Sequence, residues 1–487
     1  GRPGPTESLF AVRSQPPVRE GWLLPSDSAD ARVRAACIVP LHVFDVVHLL
    51  PEESSAEPAR PIDFSVGAHH VNWPVSATVR LGGGLATLLA ADILGSVVRI
   101  QQGLAIHHDG QPAPDGSADV NDGILKCDDS IMLDWTRDRQ RPVADVPPIF
   151  LQPQTDLLRE LLFALLRELA EHAAMPLATL DVWPRRLPAV GLVSHDSDLN
   201  QADRAESQLS ADREADVYAV WHIMAGTGDQ RMPEYSPELL ARIAASGHEL
   251  ALNYDAHTDH PACRWGEQTL LAQLDRLRQK MRLVGINAAI VSNGNYFCRW
   301  EGRLEFFRWR VAAGLRVEQS KGGTKPGCVG WPFGSCHPWR PIDDEVTPPY
   351  LMDLLEISFA TQDIGGETTA MALGRPLIDS AIARGGVASL LYHPWQSDKP
   401  ALRASLAEHV AYGRRLGLEW WPARQIAAWQ FARRAVRLRG QRMQAGRLVL
   451  QLDVPRDLED ATFRANDARS DVVSIKGQHE VSVGGLG

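Results

Sequence analysis

The feature that most limits the fold is an alternation. Between residues 188 and 438, short apolar runs are followed repeatedly by segments with a helical period. Strand-like runs fall at 190–193, 217–223, 248–252, 288–291 and 387–392. Helical patterns fall at 236–247, 267–283, 303–313, 368–383, 401–416 and 422–438. The second strand is followed by Ser236-Pro237, a capping serine and a proline at the first helical position, and Gly247 closes that helix. Strands alternating with helices predict an α/β fold built on a mostly parallel sheet or barrel. Such folds place their chemistry where the strands end.

The strand ends are where the polar residues gather. Val190, Leu192 and Val193 fit a strand buried on both faces, and His195, Asp196 and Asp198 arrive where it stops. Asp196 and Asp198 are two apart, so on an extended chain they point the same way. Taken alone, the pair is equally well an Asx-type turn in water. Later strands add Asn253 and His257, then Asn295 and Tyr296, and finally His393. Carboxylates and imidazoles converging on one edge point to acid–base or metal chemistry.

These motifs resemble those of the polysaccharide deacetylase group, the NodB-homology or carbohydrate esterase family 4 proteins. Ser194-His195-Asp196-Ser197-Asp198 is similar to the first motif, in a His-Asp-x-Asp form. Gly247-His248-Glu249 leading to Asn253 and His257 is similar to the second, where two histidines stand four apart. Leu390-Leu391-Tyr392-His393-Pro394 is similar to the late histidine motif. The resemblance implies a distorted, incomplete (β/α) barrel of NodB type over residues 188–438. It also implies a divalent metal, zinc before cobalt, nickel or manganese, which activates water against an N-acetyl carbonyl. Asp196 would be the base, His393 the acid, and Asp198, His257 and Asn253 the metal residues. Asn295 and Tyr296 fall where the third motif contacts the oxyanion, although no Arg-x-Pro-Tyr occurs. Arg299 would replace the arginine that orients the base, with Trp395 and His337 as further substrate contacts.

The chemistry suits these roles. Water is a poor nucleophile and an amide a poor electrophile, and a Lewis acid helps both. A carboxylate base and an imidazole acid divide the two proton transfers. The departure is Asn253, which stands where the group has its first metal histidine. An amide oxygen binds zinc more weakly than an imidazole nitrogen. Three outcomes stay open: Asn253 is a weak ligand or holds a water, His260 or His222 replaces it, or the metal is lost and the domain binds carbohydrate without catalysis.

Around the barrel the sequence predicts a poorly ordered segment at 1–30, a small α/β domain at 31–150, a helix and linker at 151–187, and a β appendage at 439–487. Strands are expected at 33–39 and 77–81, and Gly82-Gly83-Gly84 as a turn from strand to helix. Thr155 is expected to cap the linker helix, and the polar stretch 199–213 to be a loop over the site. Asp363 follows a strand-like run and is expected either to face the site or, in preference, to cap a helix start, and the aromatic loop 331–339 is expected to cover the site.

A net charge of −10 argues against non-specific nucleic-acid binding. No apolar run reaches the ~18 residues of a membrane span. The six cysteines are scattered and form no C-x-x-C, so no zinc ribbon is expected. No signal-peptide pattern opens the chain, which makes a reducing cytoplasm the default expectation, and an extracytoplasmic setting the alternative if residues precede Gly1.

Overall fold

The structure, a computed structural model, describes residues 10, 12–14, 17–25, 31–51, 64–68, 71–226, 234–256, 263–465 and 468–485. Its centre is a parallel sheet of β1 (Val190–Asp196), β2 (Val220–Met224), β3 (Glu249–Tyr254), β4 (Ser292–Asn295), β5 (Val317–Glu318), β6 (Leu355–Glu356), β7 (Thr361–Gln362), β8 (Val387–Leu391) and β9 (Glu419–Trp420). The order is β6-β5-β4-β3-β2-β1-β8-β7, with β9 also pairing β1. Among the described residues no ladder joins β6 to β7, so the sheet curls into an incomplete barrel. The helices are α1 (Ala202–Ala215), α2 (Pro237–Ala245), α3 (Glu267–Leu283), α4 (Glu305–Ala312), α5 (Gly374–Arg384), α6 (Pro400–Arg415) and α7 (Ala423–Ala435).

Alternation along the strands divides the core in two. Val190 and Leu192 of β1 join Val220, Ala251, Val317 and Val387 on the inner face, continuous with Ile426 of α7. Val193 joins Trp221, Ile223, Leu250 and Leu252 on the face that meets the helices. The same parity aims His195 outward and Asp196 inward. His195 is buried there, its Nε2 3.0 Å from Asp212 of α1 and its Nδ1 2.9 Å from the Tyr392 carbonyl. Gly191 sits under the Trp420 indole, which passes 2.3 Å from where a Cβ would stand. Only glycine permits that approach.

Several local expectations change. Residues 199–213 are mostly helix α1, because Ala205, Leu209, Ala211 and Asp212 bury one side of an otherwise polar segment. The fourth strand lies at Ser292–Asn295 rather than 288–291. Thr155 lies inside the helix Gln154–His172 and donates its hydroxyl to the Gly334 carbonyl at 2.7 Å. Gly82 and Gly83 turn a hairpin between strands Ser76–Leu81 and Gly84–Leu89, not a strand into a helix. The strand expected at 33–39 is instead the short helix Ala31–Ala36.

Before the barrel, Val18–Pro25 lies inside a five-stranded antiparallel sheet, although residues 1–30 were expected to lack order. Leu23 and Val43 of this sheet share a core with Ile100 and with Leu157, Leu158 and Leu161 of the helix Gln154–His172. The stretch 103–150 then crosses the barrel edge, with bridges from Ile106 to Gly302 and from Lys126 to Arg299. After the barrel, Arg437–Gln444, Arg447–Ala461 and Val473–Gly485 form an antiparallel sheet. Phe463–Ala465 runs back to pair with Ala178–Leu180, and Leu450, Leu452 and Phe463 extend the inner core.

Candidate active site

At the C-terminal edge of the strands, Asp196, Asp198 and His393 bring their polar atoms within 4.8 Å of one another. They line a cavity of about 290 Å³ with Asn295, Asp363 and Trp395. Asp196 ends β1, and the parallel register sets it beside His222 of β2. His222 is buried, its Nδ1 2.7 Å from Asp196 Oδ1 and its Nε2 3.2 Å from Gln319 Oε1. The carboxylate of Asp196 is thus held by an imidazole that is itself held from behind.

Asp198 lies in the turn after β1. Ser197 pins this turn by donating to Asn200 and accepting from the Met224 amide. Asn253 Nδ2 donates to Asp198 Oδ1 at 3.1 Å, and His393 Nε2 lies 3.6 Å from Oδ2. Burial pushes Asp198 up to about 7, against the pull of His393. The other end of the Asn253 carboxamide, Oδ1, is buried without a hydrogen-bond partner among the described residues.

His393 follows β8 and is fixed by Asp363. That carboxylate accepts from the His393 amide at 2.8 Å, from His393 Nδ1 at 2.7 Å and from Gln396 Nε2 at 2.6 Å. Asp363 has a φ of 45°, rare for a residue other than glycine, which turns its side chain back to His393. It does not serve as the helix cap expected from sequence. Burial opposes a charge on His393, but Asp363, Asp198 and Asp196 together push it up to about 10.

The other expected residues divide. Trp395 lines the cavity, 38% exposed, its ring 6.5 Å from the His393 ring. Asn295 also lines it, but its carboxamide is engaged inward, accepting from Arg310 at 2.6 Å and donating to the Arg299 carbonyl at 2.7 Å. Tyr296 is buried next to Phe297, and burial and then Asp198 push its hydroxyl up. Arg299 pairs with Glu301, so the group that orients Asp196 is His222. His337 is at the wrong end: its neighbour Cys336 accepts from Val387, the first residue of β8, and its own Nε2 donates to the Arg384 carbonyl at 2.8 Å. The loop 331–339 therefore packs beneath the barrel, where Asp156 accepts from the Cys336 amide at 2.7 Å. His257 and His260 lie outside the described residues.

Two partners take roles that the sequence did not assign them. Asp363 is thirty residues from His393 and has no motif around it. His222 had a signal, since Val220 and His222 are two apart on a strand and share the inner face with Asp196. Among the described residues no helix is long and apolar enough to cross a membrane.

No family model matches this chain, and no curated protein matches it. Solved structures do resemble it. One is a protein assigned as a polysaccharide deacetylase from Mycobacterium smegmatis, at 17% identity and a TM-score of 0.39, covering 52% of this chain and 93% of that one. Puue allantoinase is 12% identical, with a TM-score of 0.36 and coverage of 51% and 92%. BA3943 of Bacillus anthracis, a family 4 carbohydrate esterase pseudoenzyme, is 10% identical, with a TM-score of 0.30 and coverage of 50% and 66%. At such scores the likeness decides nothing about chemistry, which rests on the geometry of the cavity.

Proposed function

We propose that the cavity is the active site of a metal-dependent hydrolase of a carbon–nitrogen amide bond, most suited to removing the acetyl group of an N-acetylated sugar. The observation that carries this reading is a pair of dyads around Asp198: Asp196 with His222, and His393 with Asp363. One dyad presents a carboxylate and the other an imidazole whose charge is supported, which are the two proton carriers that amide hydrolysis needs.

The residues present fit a divalent metal. Asp198 is buried and needs a positive partner to stay ionised. The orphaned Asn253 Oδ1 offers a second oxygen, because a carboxamide turned about its axis exchanges its oxygen and nitrogen. Asp198 and Asn253 would hold the metal, with His257 as the third candidate. When bound, zinc, cobalt, nickel or manganese supplies the Lewis acidity that an unreactive amide requires. Asp196 takes the proton of the attacking water, kept in orientation by His222. His393 gives a proton from Nε2 to the leaving nitrogen while Asp363 holds Nδ1–H. The exposed face of Trp395 beside His393 suits a sugar ring.

The Asn253–Asp198 hydrogen bond favours a second reading, a carbohydrate-binding protein without catalysis. Metal analysis of the purified full chain and acetate release from N-acetylglucosamine oligomers separate the two. The hydrolase reading expects about one metal per chain and a loss of about 10²–10⁴ in rate for Asp196→Asn. Absence of both metal and acetate release, with oligomer binding retained, establishes the second reading instead.

A further inference from the structure

We infer that the chain carries a second ligand site, beneath the barrel, built for a small organic phosphate of nucleoside-diphosphate size. The place is a cavity of about 670 Å³ walled by the helix Gln154–His172, by residues of the stretch 179–188 and by Arg464 and Arg469. Pro188 and Gly385 on its wall adjoin the first residues of β1 and β8. The seven residues of β1, about 20 Å of strand, separate it from the acidic cavity.

Its wall is strongly basic in a chain of net charge −10. Arg32, Arg167, Arg186, Arg384, Arg433, Arg464 and Arg469 line it, against the carboxylates of Glu160 and Asp181. Arg384 pairs with Glu160 at 2.6 Å, Arg464 pairs with Asp181, and Arg32 reaches Glu171 at 2.7 Å. Among the described residues, Arg167, Arg186 and Arg469 have no carboxylate partner, and Arg433 has no carboxylate at ion-pair distance, although Asp181 attracts it from farther off. Arg433 is held by the Asp181 and Leu180 carbonyls at 2.8 and 3.0 Å, and Arg186 by the Ser470 carbonyl at 2.9 Å. Arg185 and Arg186 have φ of 52° and 61°, so two successive non-glycine residues take the left-handed conformation at this wall. Such strain persists where the surroundings impose it, and it clusters at ligand sites.

Burial lowers Arg433, against the pull of Asp181. Guanidinium forks match phosphate oxygens two at a time. A diphosphate offers several charges on neighbouring groups, which suits four such arginines better than a lone carboxylate does. The rest of the wall is apolar, with Phe163 half exposed beside Ala164, Leu180 and Leu187, which suits a non-polar body on the phosphate. The volume falls in the range of ~300–1,000 Å³ usual for small-ligand sites.

Calorimetric titration of the full chain at fixed ionic strength tests this, with ADP, inorganic pyrophosphate and citrate as probes. The expected result is saturable binding of pyrophosphate, tighter binding of ADP, and weak or absent citrate binding. Both should weaken at least about tenfold in the Arg167→Gln, Arg469→Gln double variant, whose two sites are exposed. Circular dichroism melting confirms that this variant folds. The Asp196→Asn protein should bind as the wild type does, which keeps this outcome separate from the hydrolase reading. No saturable binding of ADP or pyrophosphate at about 1 mM, or undiminished binding by the double variant, overturns the site. Citrate binding as tightly as pyrophosphate overturns the phosphate assignment, and ADP binding no tighter than pyrophosphate overturns the organic body.

Discussion

Asp363→Asn isolates the acid half of the site. The substitution keeps the shape of the side chain and removes the charge that faces His393 Nδ1 at 2.7 Å. A hydrogen bond to a charged group contributes about 1.5–3 kcal/mol. At about 1.4 kcal/mol per pH unit, its loss lowers His393 by about one to two units, from about 10 towards about 8. The sign follows from linkage. A histidine raised in the folded state contributes stability that is fully present below its unfolded value of ~6.5. That stability is lost as pH rises through about 10. In the variant it is lost earlier, so the stability gap between the two proteins is widest below about pH 8 and closes above about pH 10. Imidazole carbon and nitrogen shifts of His393 in metal-free protein report the titration directly, and urea unfolding across pH reports the gap. A His393 in the variant that titrates within about 0.3 units of wild type refutes the pairing as the source of the shift. Under the hydrolase reading the same variant loses about 10²–10⁴ in kcat.

Burial holds Asp198 up to about 7, so its ionisation destabilises the metal-free fold as pH rises from about 4 to about 7. Asp198→Asn should therefore gain about 1–2 kcal/mol at pH 8 and nothing below about pH 4, measured by urea unfolding with a chelator. Arg310 is buried with Glu318 and Glu356, and burial pushes Glu356 up to about 8. Arg310→Met leaves buried Glu318 without its cation and Asn295 Oδ1 without its guanidinium donor, while Glu356 keeps Lys321, and should cost about 3–5 kcal/mol, read from the shift in the unfolding midpoint. Gly191→Ala drives a methyl into the Trp420 ring and should cost about 1–3 kcal/mol by the same assay, with a change in tryptophan fluorescence.

The barrel was legible because its signal is carried by whole elements. The helix read at 267–283 is Glu267–Leu283, and the strands that end in Asp196, Asn253, Asn295 and His393 are neighbours in one sheet or follow its strands directly. What escaped depends on partners far away in the chain. The helix Ala202–Ala215 lacks an apolar stripe, because its buried face is built around Asp212, which binds His195 and accepts from Gln208 at 2.9 Å. No periodicity of hydrophobic residues can report a face organised by a buried carboxylate. His337 sits in an aromatic loop of the kind that covers a site, yet the loop's place is set by Asp156 and Arg384, on elements outside its own stretch. Asp363 looked like a helix cap because aspartate is common there, and its positive φ and its bond to His393 belong to the tertiary structure alone.

The pairing of Ala178–Leu180 with Phe463–Ala465 has a consequence for how the chain is made. Leu180 leaves the ribosome long before its partner Phe463 does. At roughly 5–20 residues per second the wait is about 15–60 s. Throughout that interval Trp183, Val190 and Leu192 lack the cover that Leu450, Leu452 and Phe463 later provide. The barrel strands can pair as they emerge, but the underside stays open until residues 450–463 arrive. Release of a chain stopped before residue 463 therefore leaves that apolar surface uncovered.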